Sequence, residues 1–264
     1  MYTRNCSNSF ACLLFCGLYA FAPISLQAAE WRVTQQSNVQ GALTLKQSET
    51  NDSEQGLNLI ILRTSDGLVS ATQNAVFAAG INFSMEQTGG GNGNVQAINH
   101  AEANVLNDIS QNVSGFDHAQ LLQTTTAGGN IQALNYARTT TTATDITQTV
   151  TGTEATLNNQ GASANNVQTI NYLQIDGNGT TADVDQTVTL GTLNIDYSNS
   201  SGLSGGITRY QNLNYGQGIN MILAQDPDKV SATLTSNIEV LNINGAAANY
   251  DGTVQTVLNR IVQK

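Results

Sequence analysis

The side chains that recur at fixed spacing in this sequence are amides. The chemistry open to them is hydrogen bonding to their own copies, since each carboxamide carries two donor hydrogens and an acceptor oxygen. A Gln followed three residues later by Asn reads EQGLNL (Gln55, Asn58), VQAINH (Gln96, Asn99), IQALNY (Gln132, Asn135), VQTINY (Gln168, Asn171) and YQNLNY (Gln211, Asn214). It returns in altered form as VQTVLN from Gln255, so the Gln-to-Gln steps are 41, 36, 36, 43 and 44 residues. A second series keeps the same register: Gln35, Gln73, Gln111, Gln148 and Gln186, with steps of 38, 38, 37 and 38. The sixth copy, KVSATLTSN, places Leu234 where Gln is expected. Gln148 shares a strand face with Ile146 and Val150, where a lone amide would be costly to bury. Copies stacked one strand apart satisfy each other as a ladder. The Gln96, Gln132, Gln168 and Gln211 series shares a face with Ile98, Leu134, Ile170 and Leu213, and the Asn series faces the other way or sits at a corner. His100, Tyr136, Tyr172 and Tyr215 follow the Asn positions and read as an aromatic row.

Other chemistry finds little to work with. The two histidines, His100 and His118, have no second His or Cys nearby to complete a metal set. Asp176, Asn178 and Asp183 in DGNGTTAD outline a calcium loop only in part: Thr181 stands where Gly is required and no Glu closes the set. Asp226 and Asp228 flank Pro227 in what reads as an insertion lengthening the fifth copy, a solvated loop. GGGNGN (89–94) lacks the helix and Lys of a phosphate loop and reads as a turn. Carboxylates come one or two per copy, with Asp108, Asp145 and Asp183 opening successive copies as a row at a strand entrance. A sugar-cleaving solenoid needs them clustered. No catalytic group, cofactor or metal site is expected.

The elements that must position the amides are short strands. The fourth copy divides into DITQTV (145–150), EATLNNQ (154–160) and NVQTINY (166–172), separated by Gly, Asn, Ser and Thr turns. Alternation is evident in LTLKQ (Leu43, Leu45), in INFSMEQ (Ile81, Phe83, Met85) and in TLNIDY (Leu193, Ile195, Tyr197). The only prolines are Pro23 and Pro227, leaving a long tract free to donate every backbone N–H. Three short strands per ~37 residues, in about six copies, predict an all-β fold: a β-solenoid, or cross-β stack, with equivalent strands parallel. The copies fall near 31–68, 69–107, 108–144, 145–182, 183–228 and 229–264, in one domain over 30–264. The competing architecture is an antiparallel sandwich or barrel whose strands merely share composition.

Residues 1–29 read as a secretory signal: Arg4, an apolar run, then LQAAE. All three cysteines, Cys6, Cys12 and Cys16, lie inside it, so the mature chain would hold no disulfide. With Arg4 removed, eight basic and nineteen acidic residues leave a net charge of −11. That balance argues against nucleic acid and anionic lipid as partners, and membrane insertion of the mature chain is not expected.

The paired landmarks Q-x-[IL]-N-Y and [IV]-x-Q-x-V over residues 31–264 resemble the bacterial functional amyloids of the curli and Fap types. The match lies in secreted, cysteine-free subunits with repeats rich in Gln, Asn, Gly, Ser, Thr and Ala; LNNQGASANNVQTINY is similar to a strand–turn–strand curlin unit. The resemblance implies a subunit that polymerises outside the cell into fibres of a biofilm matrix, stacking head to tail on itself. A nucleator or an outer-membrane export pore would be further partners. The first copy starts at Trp31 and the last strand reaches almost to Lys264, so no capping segment is expected. The alternative is a monomeric solenoid acting as an adhesin or as a carbohydrate- or ice-binding module. TTTTATDITQTVTGT (139–153) raises the ice-binding idea, but threonine does not recur as a flat row in the other copies.

Overall fold

The computed structural model describes residues 30–48, 51–62, 68–125, 128–160, 166–177, 181–196, 216–244 and 257–263. The expected leader lies outside them. Strands β1 (Glu30–Val39), β2 (Leu43–Ser48), β3 (Glu54–Gln55) and β4 (Asn58–Leu62) make the first coil. β5 (Leu68–Phe77), β6 (Asn82–Gly89), β7 (Val95–Thr125), β8 (Ile131–Asn159), β9 (Val167–Ile175) and β10 (Ala182–Asp196) continue the winding. β11 (Gly216–Ala224), a 3-10 turn at Pro227–Lys229, β12 (Val230–Asn244) and β13 (Val257–Gln263) complete it. Among the described residues every strand pairing is parallel. The chain is therefore a β-solenoid, and the antiparallel alternative falls.

Three sheets run the length of the stack, six rungs each. The first joins β1, β5, the middles of β7 and β8, the start of β10, and β12. The second joins β2, β6 and the later parts of β7, β8, β10 and β12. The third joins β3 with β4, the starts of β7 and β8, then β9, β11 and β13. β7 and β8 are long because they turn corners without leaving the ladder. The fourth-coil pieces expected at 145–150, 154–160 and 166–172 are the three sides of one coil.

Corner chemistry is local. Gly115, between Val113 and Phe116, has φ +85°, and a Cβ there would strike the Phe77 carbonyl of the coil below. One coil up, the Phe116 ring occupies the space where a side chain on Gly152 would go. Phe116 meets Phe83 edge-on at 5.4 Å, and Phe83 stacks on Phe77 at 4.6 Å. Inside the coil, Val113, Val150 and Val188 of the first sheet pack with Met85, Leu121 and Leu157 of the second and Ile98, Leu134 and Ile170 of the third. A second cluster joins Ile109, Ile146 and Val184 to Ala101, Ala137 and Leu173.

Two organisational expectations need correction. The fifth coil is longer than the others, but the extra chain is the connection 197–215, not the Pro227 loop. The other second-to-third connections in the first four coils are only 49–53, 90–94, 126–130 and 160–166. The Pro227 segment is instead a compact turn, with Lys229 Nζ 3.2 Å from Asp226 Oδ2.

Candidate functional site: the amide columns

Register carries each Gln of the first series onto the next: Gln35, Gln73, Gln111, Gln148 and Gln186 are paired rung by rung, with Leu234 above. Gln73 Nε2 donates to Gln35 Oε1 at 2.8 Å, Gln111 to Gln73 at 2.8 Å, Gln148 to Gln111 at 2.7 Å and Gln186 to Gln148 at 2.7 Å. The same nitrogens also donate across the core to third-sheet carbonyls: Gln111 to Tyr136 O at 2.9 Å, Gln148 to Tyr172 O at 3.1 Å and Gln186 to Met221 O at 3.3 Å. Both N–H groups are thereby satisfied, which is why these side chains are fully buried beside Ile146 and Val150. The column stops at Leu234, and the buried Gln186 Oε1 has no hydrogen-bond partner among the described residues.

The third sheet holds two columns. Gln96 donates to Gln55, Gln132 to Gln96 and Gln168 to Gln132, each at 2.7 Å. Each also reaches second-sheet carbonyls, as Gln132 does to Met85 O at 2.9 Å. The Asn column runs Asn58 to Asn99 (2.7 Å), Asn99 to Asn135 (2.9 Å), Asn135 to Asn171 (2.9 Å) and Asn171 to Asn220 (2.8 Å). Each Asn also donates to a first-sheet carbonyl, as Asn135 does to Thr149 O at 3.0 Å. Of the two placements open to the Asn series, the corner is the one adopted. The strand bends where the pairing skips Ile98, Leu134 and Ile170, so Gln96 and Asn99 both point inward, toward different sheets. The Gln columns donate toward the first coil and the Asn column toward the last, so their amide dipoles oppose.

Sequence reasoning missed three parts of this set. A further Gln column lines the second sheet: Gln87 donates to Gln47 at 2.9 Å, Gln123 to Gln87 at 2.9 Å, and Asn159 to Gln123 at 3.0 Å. Its signal was the Gln closing LTLKQ, INFSMEQ and HAQLLQ. A short Asn column sits at the turns, Asn94 to Asn130 (3.0 Å) and Asn130 to Asn166 (3.3 Å). The third miss is a misassigned rung. Gln211, Asn214 and Tyr215 lie outside the described residues, and the fifth rung is made by Gln217, paired with Gln168, by Asn220, paired with Asn171, and by Met221, paired with Tyr172. GQGIN repeats the Q-x-x-N pattern six residues beyond YQNLN, and the longer connection lets the later copy take the rung.

The aromatic row holds where it is described. His100 lies 4.8 Å from Tyr136, and Tyr136 stacks on Tyr172 at 5.4 Å. With Val95, Ala97, Val167 and Met221 these tyrosines form a third apolar cluster. Burial, ahead of neighbouring charge, pushes the Tyr136 hydroxyl well above its ordinary range. Beside the row, Arg138 bridges coils: Nη2 is 2.9 Å from Asp176 Oδ2, and Nη1 is 3.5 Å from Glu102 Oε1. Asp176 thus serves an ion pair, Asp183 sits in register with Asp145, and Asn178 lies outside the described residues. His118, within β7, stands 3.5 Å from Glu154 of β8. Among the described residues no group of three His, Cys, Asp or Glu side chains could hold a metal ion, and no helix is long and apolar enough to cross a membrane.

Threonine forms no unbroken row, as the sequence led us to expect, although it comes near to one. On the outward side of the first sheet, Thr34, Thr72, Ser110, Thr147 and Thr233 fall in a single column interrupted only by Asp185. The regularity is one of hydroxyls, threonine on four rungs and serine on one, with a single carboxylate between them.

Protein-family models, curated proteins and solved structures were all compared with this chain, and none matches.

Proposed function

We propose that this chain is a secreted structural subunit that polymerises by coil-on-coil stacking into extracellular amyloid-like fibres of a bacterial biofilm matrix. The observation that carries this reading is where exposed apolar surface lies. Of the large apolar side chains left exposed among the described residues, Trp31 (50 %) and Leu59 (37 %) are on the first coil and Val240 (49 %) and Leu241 (39 %) on the sixth; Val76 alone is elsewhere. Apolar surface gathered at the two ends of a stack marks contact surface.

Column types support the same join. Extended one rung, sixth-coil Ala232, Ile238 and Leu241 would meet first-coil Val33, Val39 and Leu43 of the next copy. Among the described residues β1 pairs only with β5 and β12 only with β10, leaving open ladder edges of the kind that template further strands. The test is electron microscopy and fibre diffraction of residues 30–264 diluted from denaturant. Filaments with reflections near 4.8 and 10 Å are expected; a chain that stays monomeric at high concentration overturns the reading.

A further inference from the structure

The three sheets present different outer sides. The second carries an ion pair of Lys46 with Glu86 and a contact of His118 with Glu154. The third carries the buried aromatic cluster. The first is exposed or half-exposed over all six rungs and almost free of charge at its centre. Its four outward columns are set by register. The margin column runs Arg32, Ser70, Asp108, Asp145, Asp183 and Ser231, with Arg32 already held by Glu30. Beside it runs the hydroxyl column already described. The third reads Gln36, Asn74, Asn112, Thr149, Thr187 and Thr235, and the far margin holds Ser114, Thr151 and Thr189 on the middle rungs.

We propose that this outward side of the first sheet is a lateral pairing face, through which two filaments of this chain lie face to face about a two-fold axis parallel to the stack. The proposal rests on the fibre reading. Such an axis sets the margin column of one copy against the far margin of the other, rung for rung, and the two central columns against each other. Asp108 then meets Ser114, Asp145 meets Thr151, Asp183 meets Thr189, and Asp185 meets Thr187. Each of these four carboxylates finds a hydroxyl donor, and no two of them meet. Threonine, serine and amide columns at strand spacing are the material of dry zipper interfaces.

Area decides when pairing occurs. Six rungs at 4.8 Å and seven residues of width give a face of about 29 by 20 Å, roughly 580 Å² per copy. Two such faces bury about 1,200 Å², the low end for a stable complex. Single chains therefore do not pair, whereas filaments do, because each added copy contributes the same area without a new association cost.

The test is mass per length of filaments by scanning transmission electron microscopy, comparing the unaltered chain with Thr147→Lys/Thr149→Lys. Under the two-fold each new lysine faces its counterpart, while within one chain Asp145 and Asp185 lie close by. The unaltered filament should carry two chains per ~29 Å, and the variant half that mass with the coil spacing kept. A control pair on the second sheet, Ser84→Lys/Thr156→Lys, should stay at full mass. Unaltered filaments one chain thick, or a variant of undiminished mass, overturn the pairing while leaving the fibre intact. Single filaments that sediment with microcrystalline cellulose assign the face to a solid surface and overturn it too. Absence of filaments in the unaltered chain removes the fibre reading and the pairing with it.

Discussion

Replacing Gln148 by Leu separates the ladder from ordinary core packing. Leu is apolar, similar in size, and flanked by Ile146 and Val150 on the same face, so packing alone predicts no loss. The ladder predicts otherwise. Gln148 Nε2 is the donor to Gln111 Oε1 at 2.7 Å and to Tyr172 O at 3.1 Å, and its Oε1 accepts from Gln186 at 2.7 Å. Gln186 keeps Met221 O at 3.3 Å but loses its second acceptor, so the main damage is two buried groups short of a partner, the Gln111 Oε1 acceptor and one Gln186 N–H. At about 1–3 kcal/mol each that is a loss of about 2–6 kcal/mol. Greater apolar burial offsets about 1–2 kcal/mol. Taking the middle of each range, the net destabilisation is about 2.5 kcal/mol, a large share of the ~5–15 kcal/mol typical of a domain. The assay is urea unfolding of residues 30–264 at low concentration, followed by far-UV circular dichroism, where the midpoint should fall at unchanged slope. The converse change, Leu234→Gln, supplies a donor to the unpartnered Gln186 Oε1 and should gain about 1 kcal/mol. A Gln148→Leu midpoint equal to or above that of the unaltered chain refutes the ladder reasoning.

Three further outcomes are expected. Gly115→Ala should cost about 1–3 kcal/mol by the same assay, because its φ of +85° disfavours a side chain and the new Cβ would strike the Phe77 carbonyl. Asp145→Asn should stabilise by about 1 kcal/mol at low salt, since it relieves repulsion from Asp108 and Asp183 one rung either side, and the gain should fade in 1 M salt. Tyr136 is held neutral by burial, so its contribution is intact below the unfolded-state value near 10 and is lost as pH rises beyond it. Unfolding midpoints should accordingly drop faster above pH ~10 in the unaltered chain than in Tyr136→Phe.

Much of the architecture could be read before the structure, for a physical reason. A buried amide is tolerated only when its neighbours on the stack are amides too, so Gln73, Gln111 and Gln148 had to recur in phase with the apolar residues beside them. The bend at Ile98 was not readable, because placing Gln96 and Asn99 both inward depends on which sheet each limb faces. Gln217 was hidden by a competing Q-x-x-N at Gln211, and spacing cannot choose between two copies when the connection is long. The second-sheet column escaped because Asn159 replaces Gln in its fourth member and each member closes a strand beside a turn. Outward columns mix Thr, Ser, Asn and Gln, since solvent asks only for polarity there, so their regularity appears in register rather than in residue identity.

The most direct measurement of the central claim is magic-angle-spinning NMR on assembled chain carrying 15N- and 13C-labelled glutamine. The account predicts a short-range correlation from the Gln148 side-chain nitrogen to the Gln111 carboxamide carbon, and a matching one from Gln186 to Gln148. Side-chain nitrogens that correlate with no glutamine on the adjoining coil would contradict it.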